Sequence, residues 1–401
     1  MTEERLTTCL ASTAVHAGRD DLTELGVHTM PIDLSTTAPL GTVEEGRDAY
    51  DVLASGAPLP PGMTTVYRRA WNPTVARFES AMAALEGFRV DEPMDVQAVS
   101  FASGMAATAA VILSRVAGGR PHVIAVRPLY GGTDAILDSG LLGSSVTFAG
   151  PDEVGDAVRA GTGLVVVESP SNPTMELRDI ADIVRQAGDV PVLVDNTFAT
   201  PVLQRPLTLG AAYSLHSATK YIGGHGDAMG GVVVTSPDRA AELRPIRTIT
   251  GGVLDPWSAY LLHRGIATLP LRVLAMQATA TTVAAWLVEQ PAVARVHYPG
   301  LPGGDPAGLV GTQMAGPGAM VSFELATGFE GASRVCSNVR LITHAVSLGG
   351  TDTLIEHPAA LTHRIVAEDA RPGEALVRLS IGLESADDLI ADLARALATA
   401  R

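Results

Sequence analysis

LVVVESPSNPTMELRDIADIVRQAGDVPVLVDN, residues 164–196, reads as a strand, a helix and a second strand in succession. LVVVES (164–169) and PVLVDN (191–196) are short and rich in valine, as strands buried on both faces are. LRDIADIVRQAG (177–188) repeats its apolar residues at helical spacing and closes on a glycine. The same alternation extends outward. QAVSF (97–101), HVIAV (122–126), AAYSLHS (211–217) and GVVVTS (231–236) read as further strands, and MAATAAVILSRVA (105–117) and DEVGDAVRA (152–160) as helices. The predicted fold class is α/β, a mainly parallel sheet with helices on its faces. Ligands of such sheets sit at the carboxyl ends of the strands.

Two flanks depart from this pattern. Residues 1–65 show few regular periods and contain the Pro/Gly-rich ASGAPLPPGM (54–63), which reads as an extended arm. The alternating region is assigned to 66–262. Residues 263–401 read as a second, smaller α/β domain, with a long helix over about 270–289 followed by AMVSFEL (319–325) and ALVRLSIGLE (375–384). No internal repeat is present.

Composition excludes several classes of function. Of 401 residues, 46% are hydrophobic and 18% charged, an ordinary globular balance without a disordered block. A formal charge of -15 argues against nucleic acid and anionic membranes as partners, since both favour a basic face. No apolar run of roughly 18 residues stands out, and MTEERLTTCLASTAVHAG lacks the basic-then-apolar pattern of a signal peptide. A cytoplasmic protein is the expectation. Cys9 and Cys336 are far apart and match no metal spacing, so they read as free thiols.

The chemistry gathers at strand ends. Asp195 ends PVLVDN, and Lys220, in SATKYIGGHGDAMGG (217–231), follows AAYSLHS, so both face one end of the sheet. A salt bridge is one reading of the pair. Pyridoxal phosphate is the other: its aldehyde forms a Schiff base with lysine while an acid keeps its pyridine nitrogen protonated. Ser103, Gly104 and Met105 open a helix whose first N–H groups and dipole suit an anion, or simply form a capped start. Ser217 and Thr219 flank the lysine with hydroxyls, so the three features together fit a phosphate.

HSATKYIGGHGD, VDNTFATP, ESPSNPT, FASGMAA, YRRAWNPT and SLGGTDTLIEHP together resemble the Cys/Met-metabolism (transsulfuration) family of pyridoxal-phosphate enzymes. The likeness runs along nearly the whole chain. It implies the aspartate-aminotransferase-like fold (fold type I) and a homotetramer built from two catalytic dimers. It also implies that Lys220 holds the cofactor aldehyde, Asp195 its ring nitrogen, and Gly104, Met105, Ser217 and Thr219 its phosphate. Tyr130 would stack on the ring and serve in proton transfer. Tyr67 and Arg69 would reach the phosphate of the neighbouring subunit. Asn172, Ser347 and Arg378 would bind substrate, Arg378 forking onto the α-carboxylate.

The resemblance implies cleavage or replacement at the γ-carbon of a sulfur-containing or activated homoserine-type amino acid. Lys220 would move the protons, Tyr130 would assist the leaving group, and no metal would take part. Relatives that handle cystathionine carry acids where this chain has Val66 and Val346, so the expectation is a methionine γ-lyase-like elimination. A cystathionine γ-synthase or γ-lyase is the alternative, and a non-catalytic binding protein a remote one. Methionine γ-lyases have a cysteine where this chain has Gly132, and Trp71 replaces a usual small residue, pointing to an altered entrance or pocket.

Overall fold

Strands β1 (Gln97–Phe101), β2 (His122–Val126), β3 (Ser145–Ala149), β4 (Thr162–Glu168), β5 (Val192–Asp195), β6 (Tyr213–Ser217) and β7 (Gly231–Thr235) form one sheet in the order β1-β7-β6-β5-β4-β2-β3. Pairing is parallel from β3 through β6 and antiparallel on both sides of β7. The computed structural model describes residues 9–60, 62–89 and 92–400. Residues 1–8 of the expected arm and Pro61 of its Pro/Gly-rich stretch lie outside these.

Strands β2, β4 and β7 are buried at every position, which their unbroken apolar runs require. β3 escaped the sequence reading because it lies at the sheet edge, half exposed, where no continuous apolar run is needed. The helix expected over 152–160 is a single turn, Val154–Ala157. Helices Pro73–Glu86, Pro237–Thr250 and Pro256–Ile266 were not singled out, although each starts on a proline, the residue suited to the first turn. Within the N-terminal flank, Val43–Ala54 is a helix whose Thr42 and Glu45 form a capping box. Its polar composition hid its period.

A second sheet holds β8 (Val293–His297), β9 (Met320–Leu325), β10 (Thr343–His344), β11 (Leu354–Glu356) and β12 (Leu376–Ser380) in the order β10-β11-β12-β9-β8. Between the two sheets in sequence runs the 20-residue helix Leu269–Val288, long and apolar enough by composition to cross a membrane, contrary to the sequence expectation. Its Leu269, Val273, Met276, Ala280, Val283 and Leu287 are instead buried in the main apolar core, with Phe78, Tyr221 and Phe323. It is a core helix here.

That helix also fastens the lysine loop. Arg272, buried in its first turns, donates to the carbonyls of Tyr221 (2.7 Å), Ile222 (3.3 Å) and Gly265 (2.8 Å). Burial lowers its guanidinium pKa to about 10, and no carboxylate pairs with it among the described residues. Gly224 has φ +70°, and a Cβ there would overlap the Arg272 guanidinium. The glycine after the lysine is therefore demanded twice, by backbone conformation and by the arginine lying against it. Arg272→Met removes the side-chain donor of the Tyr221 and Ile222 carbonyls, while Gly265 O keeps Thr268 N at 3.2 Å; at about 1 kcal/mol for each of the two, roughly 2 kcal/mol of stability should be lost. A urea unfolding midpoint equal to that of the wild type would refute this role.

Candidate active site

Lys220 is the only lysine among the 401 residues, a signal in the sequence that the motif reading passed over. Its backbone N–H closes a turn on Ser217 O at the end of β6 (3.1 Å), and its Nζ donates to Ser347 Oγ at 2.8 Å. Ser347 has φ +99°, a conformation strained for a side-chain-bearing residue, and its carbonyl accepts from Arg378 Nη2 at 3.1 Å. Burial lowers the Lys220 pKa to about 8; the nearby Arg378 charge lowers it too, while Glu356 raises it. The amine is thus about half neutral near pH 8, far more than an unshifted lysine would be.

Strands β4 and β5 end side by side in two carboxylates, with Glu168 in register with Asp195. Asp195 Oδ1 accepts from Thr197 N (3.0 Å) and Thr197 Oγ1 (2.5 Å), and among the described residues nothing bonds its Oδ2. Burial raises the Asp195 carboxyl, opposed by the Thr197 bonds and the charge of His216. A cation in the cavity would oppose it further. Glu168 Oε1 accepts from Tyr130 N at 2.6 Å, and Oε2 from Asn172 N at 3.4 Å. Burial, then the charge of Asp195, pushes Glu168 well above the usual carboxylate range. The sequence reading missed Glu168, although it closes the strand that decides the fold just as Asp195 closes its neighbour.

Opposite these acids, helix Gly104–Ala117 begins at the cavity. Ser103 Oγ caps it by accepting from Ala106 N (3.1 Å), while the first N–H groups, on Gly104 and Met105, have no partner within the helix. A Cβ on Gly104 would stand 3.0 Å from that of Ser217. Glycine there lets the helix start and the end of β6 meet. Thr219 Oγ1 accepts from Gly230 N (3.0 Å) and so holds the lysine loop against the start of β7.

Arg378 on β12 completes the wall. Its Nη1 donates to Asn172 Oδ1 (2.8 Å), and its Nη2 meets Glu356 Oε1 (2.8 Å). Gly104, Met105, Tyr130, Asn172, Asp195, Ser217, Thr219, Lys220, Ser347 and Arg378, all expected from sequence, line one cavity of about 310 Å³. Val346 lines it as well. Tyr67 and Arg69 do not: Arg69 Nη1 donates to Thr248 O (2.7 Å), its guanidinium lies 5.6 Å from the centre of the half-exposed Tyr67 ring, and Trp71 is likewise off the cavity. His216 is buried against Glu86 (2.6 Å). Among the described residues no cluster of three His, Cys, Asp or Glu side chains is gathered for a metal ion.

A nucleophilic amine, a buried carboxylate with a free oxygen and a helix start fit an aldehyde, a ring cation and a phosphate carried on one molecule. The family of Cys/Met metabolism PLP-dependent enzymes matches residues 11–398. An L-methionine gamma-lyase of Brevibacterium sandarakinum is 56% identical over 96% of this chain and 97% of its own. Another, from Streptomyces avermitilis, is 51% identical over 98% of this chain and 90% of its own. Among solved structures, metB of Corynebacterium glutamicum superposes with a TM-score of 0.88 at 35% identity, covering 98% of this chain and 99% of the other. CalE6 of Micromonospora echinospora, described as a methionine gamma lyase, gives 0.83 at 37% identity, covering 97% and 99%. The chain belongs to the Cys/Met metabolism family, has its α/β fold and uses pyridoxal phosphate.

With one lysine in the chain, cofactor-free protein labelled with ¹³C-lysine should show a single ε-carbon signal titrating near pH 8. Since the neutral amine is the form that captures an aldehyde, the capture rate should rise to a plateau above pH 8. An unshifted lysine, about one in 300 neutral at that pH, would keep gaining rate towards pH 10. Continued gain would show that the amine is not desolvated.

Proposed function

We propose that this enzyme is a methionine γ-lyase: it eliminates the γ-substituent of methionine or a close sulfur-containing relative, giving a thiol, a 2-oxo acid and ammonia with consumption of water. The observation that carries the reading is the cavity lining. Its charged residues are Glu168, Asp195, Lys220 and Arg378, and the rest of the wall includes Met105, Phe198, Met229, Val346 and Leu348. Among the described residues no further charged group lines it to meet the distal ammonium and carboxylate of cystathionine. The relatives named methionine gamma-lyase support the same choice.

Bound pyridoxal phosphate supplies an aldehyde for the amine and a protonated ring that stores the electron pair released at the α-carbon. Lys220 takes the α-proton, for which its low pKa and its bond to Ser347 Oγ suit it. Arg378, aligned by Asn172, receives the α-carboxylate. Asp195, fixed by Thr197, holds a negative charge for the ring nitrogen. Burial and the charge of Glu356 keep the Tyr130 phenol protonated, so its hydroxyl can give a proton to the departing sulfur as the C–S bond breaks. The Gly104 and Met105 N–H groups, with Ser217 and Thr219, receive the phosphate.

Tyr67 and Arg69 lie off this chain's own cavity, which supports their reaching a neighbour's phosphate in a homotetramer of two catalytic dimers. The chain divides into an arm (1–65), a cofactor domain (66–262) and a small domain (263–401), a division supported by the two separate sheets. Two free thiols, one buried with its pKa pushed up to about 12, suit a reducing cytoplasm.

The test is incubation with methionine, cystathionine and O-acetylhomoserine, with products identified by mass spectrometry. Methionine should yield methanethiol and 2-oxobutanoate; turnover of cystathionine alone would reverse the assignment. Tyr130→Phe should lower kcat on methionine about 100-fold or more. It should cost far less on O-acetylhomoserine, whose leaving carboxylate needs no proton. Equal losses on both substrates would remove Tyr130 from the acid role.

A further inference from the structure

Glu356 lies in the motif SLGGTDTLIEHP but carries no role there, and it is a deeply buried carboxylate beside the cavity that the reaction leaves unused. It ends β11 in antiparallel register with Arg378 of β12. The two side chains are 1% and 3% exposed and meet at 2.8 Å, so neither charge is shared with water. Thr362 Oγ1 donates to the same oxygen, Oε1, at 2.9 Å. Oε2 is buried without a hydrogen-bond partner. Glu356 does not line the cavity; Arg378 and Thr362, which hold it, do.

The guanidinium that faces an incoming carboxylate therefore already carries one on its inner side. A buried arginine stripped of its counter-ion leaves an uncompensated charge, which is costly; one that keeps it attracts a second anion less strongly. The inner carboxylate thus has two effects on one group. It stabilises Arg378 in the empty site, and it weakens the hold of Arg378 on whatever carboxylate arrives.

We propose that Glu356 is an internal counter-ion of Arg378, a positioning residue that stands in for the ligand carboxylate in the empty site and sets how tightly carboxylates are held and released. The proposal rests on the reading of Arg378 as the receiver of the α-carboxylate. Substrate and 2-oxo acid product both carry that group, so the same residue limits product retention. Removing its charge should lower KM and, where release limits turnover, lower kcat with it.

The experiment titrates holoenzyme with acetate, following the visible absorbance of the bound cofactor and the melting temperature, with acetamide as the uncharged control. Glu356→Gln keeps size and hydrogen-bonding capacity while removing the charge. It should bind acetate at least tenfold tighter than wild type. Its melting temperature should fall without acetate and recover with acetate but not with acetamide, a rescue that a purely structural defect would not show. Glu356→Asp, with the carboxylate drawn back by one methylene, should lie between the two and keeps the comparison readable if the glutamine variant folds poorly. Arg378→Gln should bind no acetate. Unchanged or weaker acetate binding by both Glu356 variants, with binding lost in Arg378→Gln, overturns the counter-ion and leaves Arg378 in place. Acetate binding by Arg378→Gln equal to wild type overturns the reading of Arg378, and the proposal falls with it.

Discussion

A cavity that keeps an amine, a guanidinium and two carboxylates mostly out of water, with a third carboxylate buried behind the guanidinium, must supply each charge with a partner or let it go neutral. The rest of this structure follows from that constraint. Lys220 responds with a pKa lowered to about 8, and Glu168 with one pushed above the usual carboxylate range by burial and the charge of Asp195. Asp195 is held between opposing effects, with burial against the Thr197 bonds and the charge of His216. Arg378 stays paired to Glu356 and Asn172. Charge is thus set group by group, and each setting depends on neighbours brought from both sheets.

The scaffold holds these groups by close backbone approach. Gly104 lets a helix start touch the end of β6, and a Cβ on Gly231 would overlap the Ser103 carbonyl. Gly224 admits Arg272, whose bonds tie the loop after Lys220 to a helix of the main core. The backbone just beyond the lysine is thus anchored to the core.

This chain departs from the residues that its relatives were expected to carry at Val346, on the cavity wall, and at Gly132. Val346, exposed at the cavity, offers apolar surface next to the strained Ser347. Gly132 sits under Tyr130, where a Cβ would lie 2.6 Å from a Tyr130 ring carbon and 3.1 Å from Met105 Sδ. The ring occupies space that a larger residue at 132 would need. An enzyme with cysteine at this place must hold its tyrosine differently, so the departure at 132 is a change in ring position as well as in chemistry.

The sequence alone determined the six inner and flanking strands β1, β2 and β4–β7, because strands buried on both faces must be apolar throughout and helices between them must be amphipathic, and both patterns are local. It also determined Lys220, Asp195 and the helix start at Ser103–Met105, since each directly follows or ends a strand. Edge strand β3, the helices with polar or proline-led starts and the apolar length of Leu269–Val288 were obscured, because half-burial and core burial leave weaker or misleading periods. What only the tertiary structure decided is where charges meet. Glu168 beside Asp195, Ser347 on Lys220, Glu356 behind Arg378 and Arg272 across Gly224 join residues up to 127 positions apart. Electrostatic interaction depends on distance and burial in space, and neither is written in the order of the residues.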